Sequence, residues 1–175
     1  MRLLSLLVLL LLGHGCAGIP QGVEPVEDFE VSRYLGQWYE IARLENRFEE
    51  GLTNVTAQYG LRDDGGIDVI NRGYDPRTRS WKEARGRGYF MGSPDVGSLK
   101  VTFFWPFYSG YTILKLERES YRYALVCGSS REYLWILARE PSLDEAVLAE
   151  LMDFAQKRDF AVHELIFPGH DAPGP

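Results

Sequence analysis

Most of the chain consists of short runs in which apolar and polar residues alternate, separated by glycine, proline, aspartate or serine. An alternation with a period of two is typical of half-buried β-strands, and these turn residues join antiparallel neighbours. The pattern predicts eight strands, with no internal repeat and no second domain. They cover residues 34–43, 52–62, 66–74, 81–91, 98–105, 110–118, 121–128 and 132–139.

A helical period replaces this alternation after the eighth predicted strand. Ser142 and Glu145 have the spacing of a capping box, and apolar residues then recur every three or four positions from Val147 to Ala155. This predicts one amphipathic helix that packs on the outside of the sheet. A last strand is predicted over residues 160–167.

An open sheet of eight consecutive antiparallel strands would leave two long edges, and closure into a barrel removes both. Because the strand number is even, the first strand begins and the last strand ends at the same end of the barrel. Trp38 and Arg139 lie at those positions, and an arginine stacked on an indole contributes about 2 kcal/mol when desolvated. We therefore expect this pair to close one end. The open mouth is then ringed by connections near residues 44–51, 75–80, 105–110 and 128–131.

The N-terminus has the form of a secretory signal over residues 1–15, with Arg2 followed by a leucine-rich run too short to span a bilayer. Gly15-Cys16 resembles the lipobox of bacterial lipoproteins, in which the cysteine receives acyl chains. The spacing of Gly13 and Gly15 also suits an ordinary signal peptidase, which would leave Cys16 unmodified. The interpretation with lipidation at Cys16 gives a lipidated, flexible tether over 16–28, a folded domain over 29–168 and a flexible tail over 169–175.

Composition excludes several functions. The formal charge of −6 and the absence of a basic run argue against a nucleic-acid partner. The sequence predicts no enzyme, metal or cofactor, because it has no nucleophile elbow or phosphate loop, and only His163 and His170 remain after the signal. Cys127 lies in an apolar run and is expected to be a small buried side chain.

Three motifs then resemble the conserved regions of the lipocalins. They are Gly36-x-Trp38, residues 121–126 and Leu134-Trp135-Ile136-Leu137-Ala138-Arg139. More narrowly, the chain is similar to the bacterial outer-membrane lipocalins, a group related to apolipoprotein D. The resemblance implies an all-β fold with one helix, an eight-stranded up-and-down barrel with structural roles for Gly36, Trp38 and Arg139. It also implies binding of fatty acids such as palmitate or of lysophospholipids, with a homodimer as a known assembly.

Side-chain alternation predicts the cavity wall, provided that charged residues mark the outer face of each strand. Lys100 and Thr102 then point outward, which turns Val101 and Phe103 inward, and small residues on the fourth strand leave room for a ligand. The predicted ligand-binding residues are Glu40, Val55, Ala57, Tyr59, Val69, Asn71, Ala84, Val101, Phe103, Tyr108, Thr112, Leu114, Trp135 and Leu137.

Two features of the predicted cavity, Glu40 and an aromatic loop, allow alternative interpretations. Glu40 shares the parity of Trp38 and Ala42 and is expected to point inward, where it contacts an arginine near the closed end or, alternatively, an amine head group. The aromatic loop Trp105-Pro106-Phe107-Tyr108 either packs on a neighbouring loop or forms an apolar lip for an acyl chain, a second subunit or a membrane.

Together these features predict a lipid-binding lipoprotein that stores or transports single-chain amphiphiles. Ala17 after the cysteine favours the outer membrane of a Gram-negative bacterium, by resemblance to the bacterial sorting rule, with the domain anchored by its lipid and facing the periplasm. The alternatives are a structural envelope lipoprotein without ligand and a lipid-modifying enzyme that uses Cys127.

Overall fold

Eight antiparallel strands close into a barrel, and one helix lies on its outer face. The computed structural model of the protein describes residues 18–171, so the predicted signal and the lipidation of Cys16 lie outside the described residues. The helices are α1 (Val31–Tyr34) and α2 (Glu145–Gln156). The strands are β1 (Gly36–Leu44), β2 (Thr53–Leu61), β3 (Ile67–Asp75), β4 (Ser80–Phe90), β5 (Ser98–Phe104), β6 (Phe107–Leu116), β7 (Tyr123–Cys127), β8 (Leu134–Ala138) and β9 (Leu165–Ile166).

Strand pairing confirms the predicted up-and-down barrel. Each strand from β1 to β8 pairs with the next, and β1 also pairs with β8, with Trp38 opposite Ala57 and Glu40 opposite Leu137. The last strand is much shorter than predicted, because residues 162–164 form a 3₁₀ turn and only β9 is extended. Since β2 pairs with β1 only as far as Tyr39, β9 adds to the free end of β1 beyond it.

The closed end is built around Trp38, which is completely buried. The guanidinium carbon of Arg139 lies 4.0 Å from the centre of the indole ring, in the arrangement that the sequence predicts. The same guanidinium donates hydrogen bonds to the backbone oxygens of Gln37, Arg33 and Tyr121. Gly36 has a φ of +91°, which disfavours any side chain, and a Cβ there would lie 3.5 Å from Arg139 Nη1. These contacts fix α1 across the base of the barrel.

The N-cap of helix α2 lies two residues after the predicted one. It is Asp144, whose carboxylate accepts hydrogen bonds from the backbone N–H groups of Ala146 and Val147. The prediction of Ser142 as the cap was wrong, because an anionic side chain at position 144 reaches the free N–H groups and favours the positive end of the helix dipole. Leu151 and Ala155 are buried between the helix and the barrel. This hydrophobic core is separate from the one inside the barrel around Trp38, and we call it the second core.

The described part of the predicted tether, residues 18–28, lies against the barrel and does not extend away from it. Arg131 Nη2 donates to the Gln21 oxygen over 2.7 Å, close to the mouth. Further along, the Val26 N–H donates to the Ile113 oxygen, and Phe29 N–H donates to Asp95 near the closed end. We call residues 18–28 the strap. It is held because its few apolar residues find places on the barrel wall, with Val23 buried in the second core.

The described part of the predicted flexible tail is also in contact with the barrel. The backbone N–H of Asn54 donates to the Gly169 oxygen over 2.8 Å. His170 Nε2 lies 2.9 Å from the backbone oxygen of Glu40, and its ring meets the Tyr39 ring edge-on at 5.3 Å. The folded unit therefore extends to residue 170. No helix within residues 18–171 has the length and apolar character needed to cross a membrane.

Candidate ligand-binding cavity

A cavity of about 780 Å³ occupies the barrel and opens at the end opposite Trp38. Strands β2 to β6 and β8 supply most of its wall, and the β1–β2 connection contributes to its mouth. All but two of the predicted ligand-binding residues line it. They are Glu40, Val55, Ala57, Tyr59, Val69, Asn71, Ala84, Val101, Phe103, Tyr108, Trp135 and Leu137.

Thr112 and Leu114 are the two exceptions, and their predicted orientation was wrong. Leu114 packs in the second core with helix α2, and Thr112 shares that outer face of β6. The rule that charged residues mark the outer face places Lys115 outward and so turns Thr112 and Leu114 inward, but the pairing of β6 with β7 shifts register between Ile113 and Lys115. Across this bulge Leu114 and Lys115 both face the helix, where Lys115 forms an ion pair with Glu150.

Between residue 109 and the bulge after Ile113, the inward positions of β6 are therefore the odd-numbered ones. Tyr111 lines the cavity, and Ile113 is buried in the core beneath it. The Tyr111 hydroxyl lies 2.8 Å from that of Tyr34 and 2.9 Å from that of Tyr59. Burial raises the pKa of all three phenols, so they stay protonated at neutral pH. The lower cavity wall thus carries a neutral cluster of hydroxyl groups that the sequence analysis missed except for Tyr59.

A second bulge changes the direction of β1. The pairing of β1 with β8 shifts register between Glu40 and Ala42. Glu40 points inward as predicted, but Ala42 packs in the second core instead, and Arg43 turns into the barrel. The expected partner of Glu40 near the closed end was therefore wrong. Its partner is Arg43, three residues towards the mouth, with 2.6 Å between Oε1 and Nη1.

The hydrogen-bonded pair of Glu40 and Arg43 belongs to a larger polar cluster below the mouth. Arg43 Nη2 also donates to the backbone oxygen of Glu49 over 2.8 Å. The Glu49 carboxylate accepts hydrogen bonds from Asn46 Nδ2 over 2.7 Å and from Trp135 Nε1 over 2.9 Å. This cluster fixes the β1–β2 connection to the barrel wall. It also explains the orientation of the Trp135 ring at the cavity surface.

Two carboxylates in one buried cluster have an electrostatic cost. Burial and the nearby Glu49 carboxylate raise the pKa of Glu40 from 4.5 to about 8, against the opposing effect of Arg43. Glu40 is 2% exposed, so the charged form loses most of its hydration. A proton on Glu40 is therefore favoured in the folded protein near neutral pH.

The mouth carries a ring of exposed aromatic side chains. We call Phe48, Phe104, Trp105 and Phe107 the aromatic rim. Their exposed fractions are 63%, 76%, 80% and 76%. Among the two accounts of the Trp105 loop, packing on a neighbouring loop does not agree with this exposure. A groove of about 600 Å³ outside the barrel shares Val69, Phe103 and Tyr108 with the cavity, next to the part of β4 before Arg87, which does not pair with β5.

Cys127 does not face the cavity. Its side chain is fully buried in the second core, under helix α2, and burial raises the pKa of the thiol to about 12. A thiol in this position has neither access to a bound lipid nor thiolate character. Over residues 18–171, no three His, Cys, Asp or Glu side chains are grouped closely enough to bind a metal ion.

A closed eight-stranded barrel with an apolar cavity is an architecture that can hold a small ligand. Residues 29–170 match the family described as "Lipocalin-like domain". The chain is 47% identical over 167 residues to the outer membrane lipoprotein Blc of Vibrio cholerae, covering 95% of this chain and 98% of that protein. It is 51% identical over 148 residues to the protein of the same name from Escherichia coli K12, covering 85% and 83%. The chain therefore belongs to the lipocalin family.

More distant matches agree with this assignment. Bovine apolipoprotein D is 28% identical, with 79% of this chain and 76% of that protein covered. Among solved structures, the cockroach allergen Per a 4 has a TM-score of 0.66 at 21% identity, covering 86% of this chain and 94% of that chain. At this identity the structural match shows the fold alone. The predicted location at the outer membrane is confirmed by the close relatives, which are outer membrane lipoproteins of Gram-negative bacteria.

Proposed function

We propose that the protein binds a single-chain amphiphile, a fatty acid or lysophospholipid, reversibly in the barrel cavity and so stores or carries it at the outer membrane. The observation that supports this is the cavity itself, an apolar space of about 780 Å³ that opens at the mouth of the barrel. Ligand pockets in proteins fall in this range of volumes and combine an apolar wall with a few polar groups. No reaction of the ligand is required.

Transfer of the acyl chain from water into the cavity drives binding. Each buried methylene contributes about 0.8 kcal/mol, and Val55, Val101 and Leu137 offer apolar contacts along the wall. The ligand's polar head then has two choices of position. The cluster of Glu40, Arg43 and Glu49 lies below the mouth, and the tyrosine hydroxyls lie deeper in the barrel.

Asn71 is a further group for recognition of a polar head. Its side-chain oxygen is buried at the cavity wall and has no hydrogen-bond partner among the described residues. A buried acceptor without a donor costs free energy, and a ligand hydroxyl or ammonium group would remove that cost. This supports an amphiphile whose head carries a donor, as lysophospholipids and protonated fatty acids do.

We further propose that the protein is anchored by acyl chains on Cys16 and faces the periplasm. The support is the lipobox-like sequence at Gly15-Cys16 and the lipoprotein names of the close relatives. The mass of the N-terminal peptide of the mature protein tests this directly. A free Cys16 thiol, or cleavage elsewhere, contradicts the anchor.

A chain-length series tests ligand binding. Trp135 lines the cavity, so its fluorescence should respond to fatty acids and lysophospholipids in the delipidated protein. Affinity is expected to rise by up to roughly fourfold per added methylene until the tail outgrows the cavity. Trp135→Phe should remove the signal and serves as the control. A flat series would contradict the proposal, and repeated absence of any co-purified lipid in native mass spectra would favour the scaffold without ligand.

A further inference from the structure

The aromatic rim and the start of the strap lie at the same end of the barrel. The Gly18 oxygen approaches Gly110 so closely that a Cβ there would be 2.9 Å away, and the Gly110 N–H donates to Ser129 Oγ over 2.7 Å. Ser129 belongs to the β7–β8 connection, which forms part of the mouth. From there the strap runs away from the mouth towards the closed end, where Phe29 bonds to Asp95. The described chain therefore begins beside the mouth.

This placement limits where an anchor on Cys16 can lie. Cys16 precedes Gly18 by two residues, and two residues extend over at most about 7 Å. The strap cannot lengthen this reach without breaking the hydrogen bonds of Gln21 with Arg131 and of Val26 with Ile113. A free tether of thirteen residues, as the sequence had suggested, would have let the barrel adopt any orientation. The bound strap leaves only the mouth close to the membrane.

We infer that the aromatic rim docks on the bilayer surface, so that the barrel stands mouth-down and the cavity opens directly onto the lipid. This inference rests on the proposed anchor at Cys16. The rim is apolar at its tip, with Trp105 the most exposed of its four side chains, and aromatic side chains favour the membrane interface. A cluster of exposed apolar side chains of this kind marks a surface that contacts a partner or a membrane.

The charge around the mouth agrees with a lipid surface as the contact of the rim. The chain as a whole has a formal charge of −6, yet the connections that ring the mouth are balanced between basic and acidic residues. Their charged residues are Glu45, Arg47, Glu49, Glu50, Arg77, Arg79, Arg131 and Glu132. Arg47 lies over the Phe48 ring at 4.8 Å, so this side chain can reach lipid phosphates while the ring enters the apolar layer. The mouth connections thus carry no net charge that would repel anionic lipids.

Docking of this kind gives the cavity a direct route to its ligand. An amphiphile that leaves the bilayer enters the mouth without crossing water, and its acyl chain meets Phe104 and Phe107, which belong to both the rim and the cavity wall. The orientation therefore deepens the proposed function: the source of the ligand is the membrane on which the protein stands.

Quenching of tryptophan fluorescence by brominated lipids tests the orientation. The acylated full-length protein carries Trp81→Phe and Trp135→Phe, which leaves buried Trp38 and exposed Trp105. It is reconstituted on vesicles of phosphatidylethanolamine and phosphatidylglycerol, with or without bromine on the acyl chains. We expect the brominated vesicles to remove most of the Trp105 emission, and additional Trp105→Phe to abolish the quenching.

The matched control moves the exposed indole to the other end of the barrel. Leu61→Trp, combined with Trp105→Phe, places it at the end of β2, where the side chain is 57% exposed and adjoins the closed end. This variant is expected to be unquenched. Equal quenching of the two indoles, or no quenching of Trp105, overturns the docking, and so does a dimer in sedimentation that covers Trp105. The mass of the N-terminal peptide reports separately on the anchor, whose absence would overturn the proposed lipidation and this orientation together.

Discussion

At the scale of single residues, Trp38 and Glu40 show how two neighbouring inward positions on β1 have different tasks. Trp38 is stacked under Arg139 and donates its Nε1–H to the Tyr34 oxygen over 2.8 Å. Glu40 lies one inward position closer to the mouth and belongs to the polar cluster. The first residue fixes the closed end of the barrel, and the second holds Arg43 inside the barrel.

Trp38→Ala is expected to lower the free energy of unfolding by about 3–5 kcal/mol, because it removes a fully buried indole and leaves a cavity. Urea or thermal unfolding followed by circular dichroism measures this loss. Trp105→Ala is the control and should stay within about 0.5 kcal/mol of the parent, since its side chain is exposed. An effect of Trp38→Ala on ligand preference without a loss of stability would contradict the assigned role.

Glu40 predicts a pH dependence of stability. Its pKa is raised from 4.5 to about 8 in the folded protein, so the folded state holds the proton more tightly than the unfolded state between these values. The contribution is fully present below pH 4.5 and is lost as the pH rises through about 8. We expect the free energy of unfolding to fall over this window, and Glu40→Gln to flatten the fall.

Glu83→Gln provides the control for this experiment. The side-chain hydrogen bond from Arg72 lowers the pKa of Glu83, and the residue lies on the outer face of β4. Its contribution to stability is fully present above the usual glutamate pKa of 4.5 and is lost only at lower pH. In Glu83→Gln, the slope of the free energy of unfolding against pH between pH 5 and pH 8 should therefore remain that of the parent. An unchanged slope in Glu40→Gln would show that another group titrates.

At the scale of elements, the start of helix α2 distinguishes a sequence motif from the geometry that realises it. Asp144→Ala should cost about 1 kcal/mol, because it leaves the N–H groups of Ala146 and Val147 without their acceptor. Ser142→Ala should change the free energy of unfolding by less than about 0.5 kcal/mol. Thermal unfolding of both variants measures the difference. A larger loss for Ser142→Ala would restore the capping box that the sequence suggested.

The same scale explains what could be predicted from the sequence. The alternation of apolar and polar residues located all eight barrel strands, and the stacking of Trp38 and Arg139 oriented the barrel. The alternation failed at two of the register shifts in the sheet, after Glu40 and after Ile113, because a bulge changes the face of every later residue and leaves no local mark in the sequence. The long-range contacts of the strap were also beyond prediction, since they join residues more than seventy positions apart, such as Val26 and Ile113.

At the scale of the whole molecule, the fold is stabilised by two hydrophobic cores that leave the upper barrel open. One core fills the lower barrel around Trp38, and the other lies between the barrel and helix α2. Neither occupies the upper barrel, so the fold is complete while its mouth stays open. The cavity can therefore gain or lose a ligand without a change in the elements that hold the barrel closed.

A ligand bound in this cavity should stabilise the whole molecule, because it binds the folded state and not the unfolded chain. At a free concentration of 100 times Kd, the gain is about 2.7 kcal/mol. For a chain of this size that corresponds to a rise in Tm of roughly 5–10 °C. Thermal scans with a long-chain lysophospholipid, compared with its short-chain analogue at the same concentration, measure the effect.

Two variants of β2 separate binding in the cavity from binding elsewhere. Ala57→Phe fills part of the cavity from its wall, whereas Gln58→Phe adds the same ring to the exposed outer face one residue later. The first variant should lose most of the ligand-induced rise in Tm, and the second should keep it. If both variants keep the full rise, the lipid binds outside the barrel, and the aromatic rim becomes the next surface to test. If both lose it, the ring at position 58 has disturbed the sheet, which the Tm without ligand would reveal.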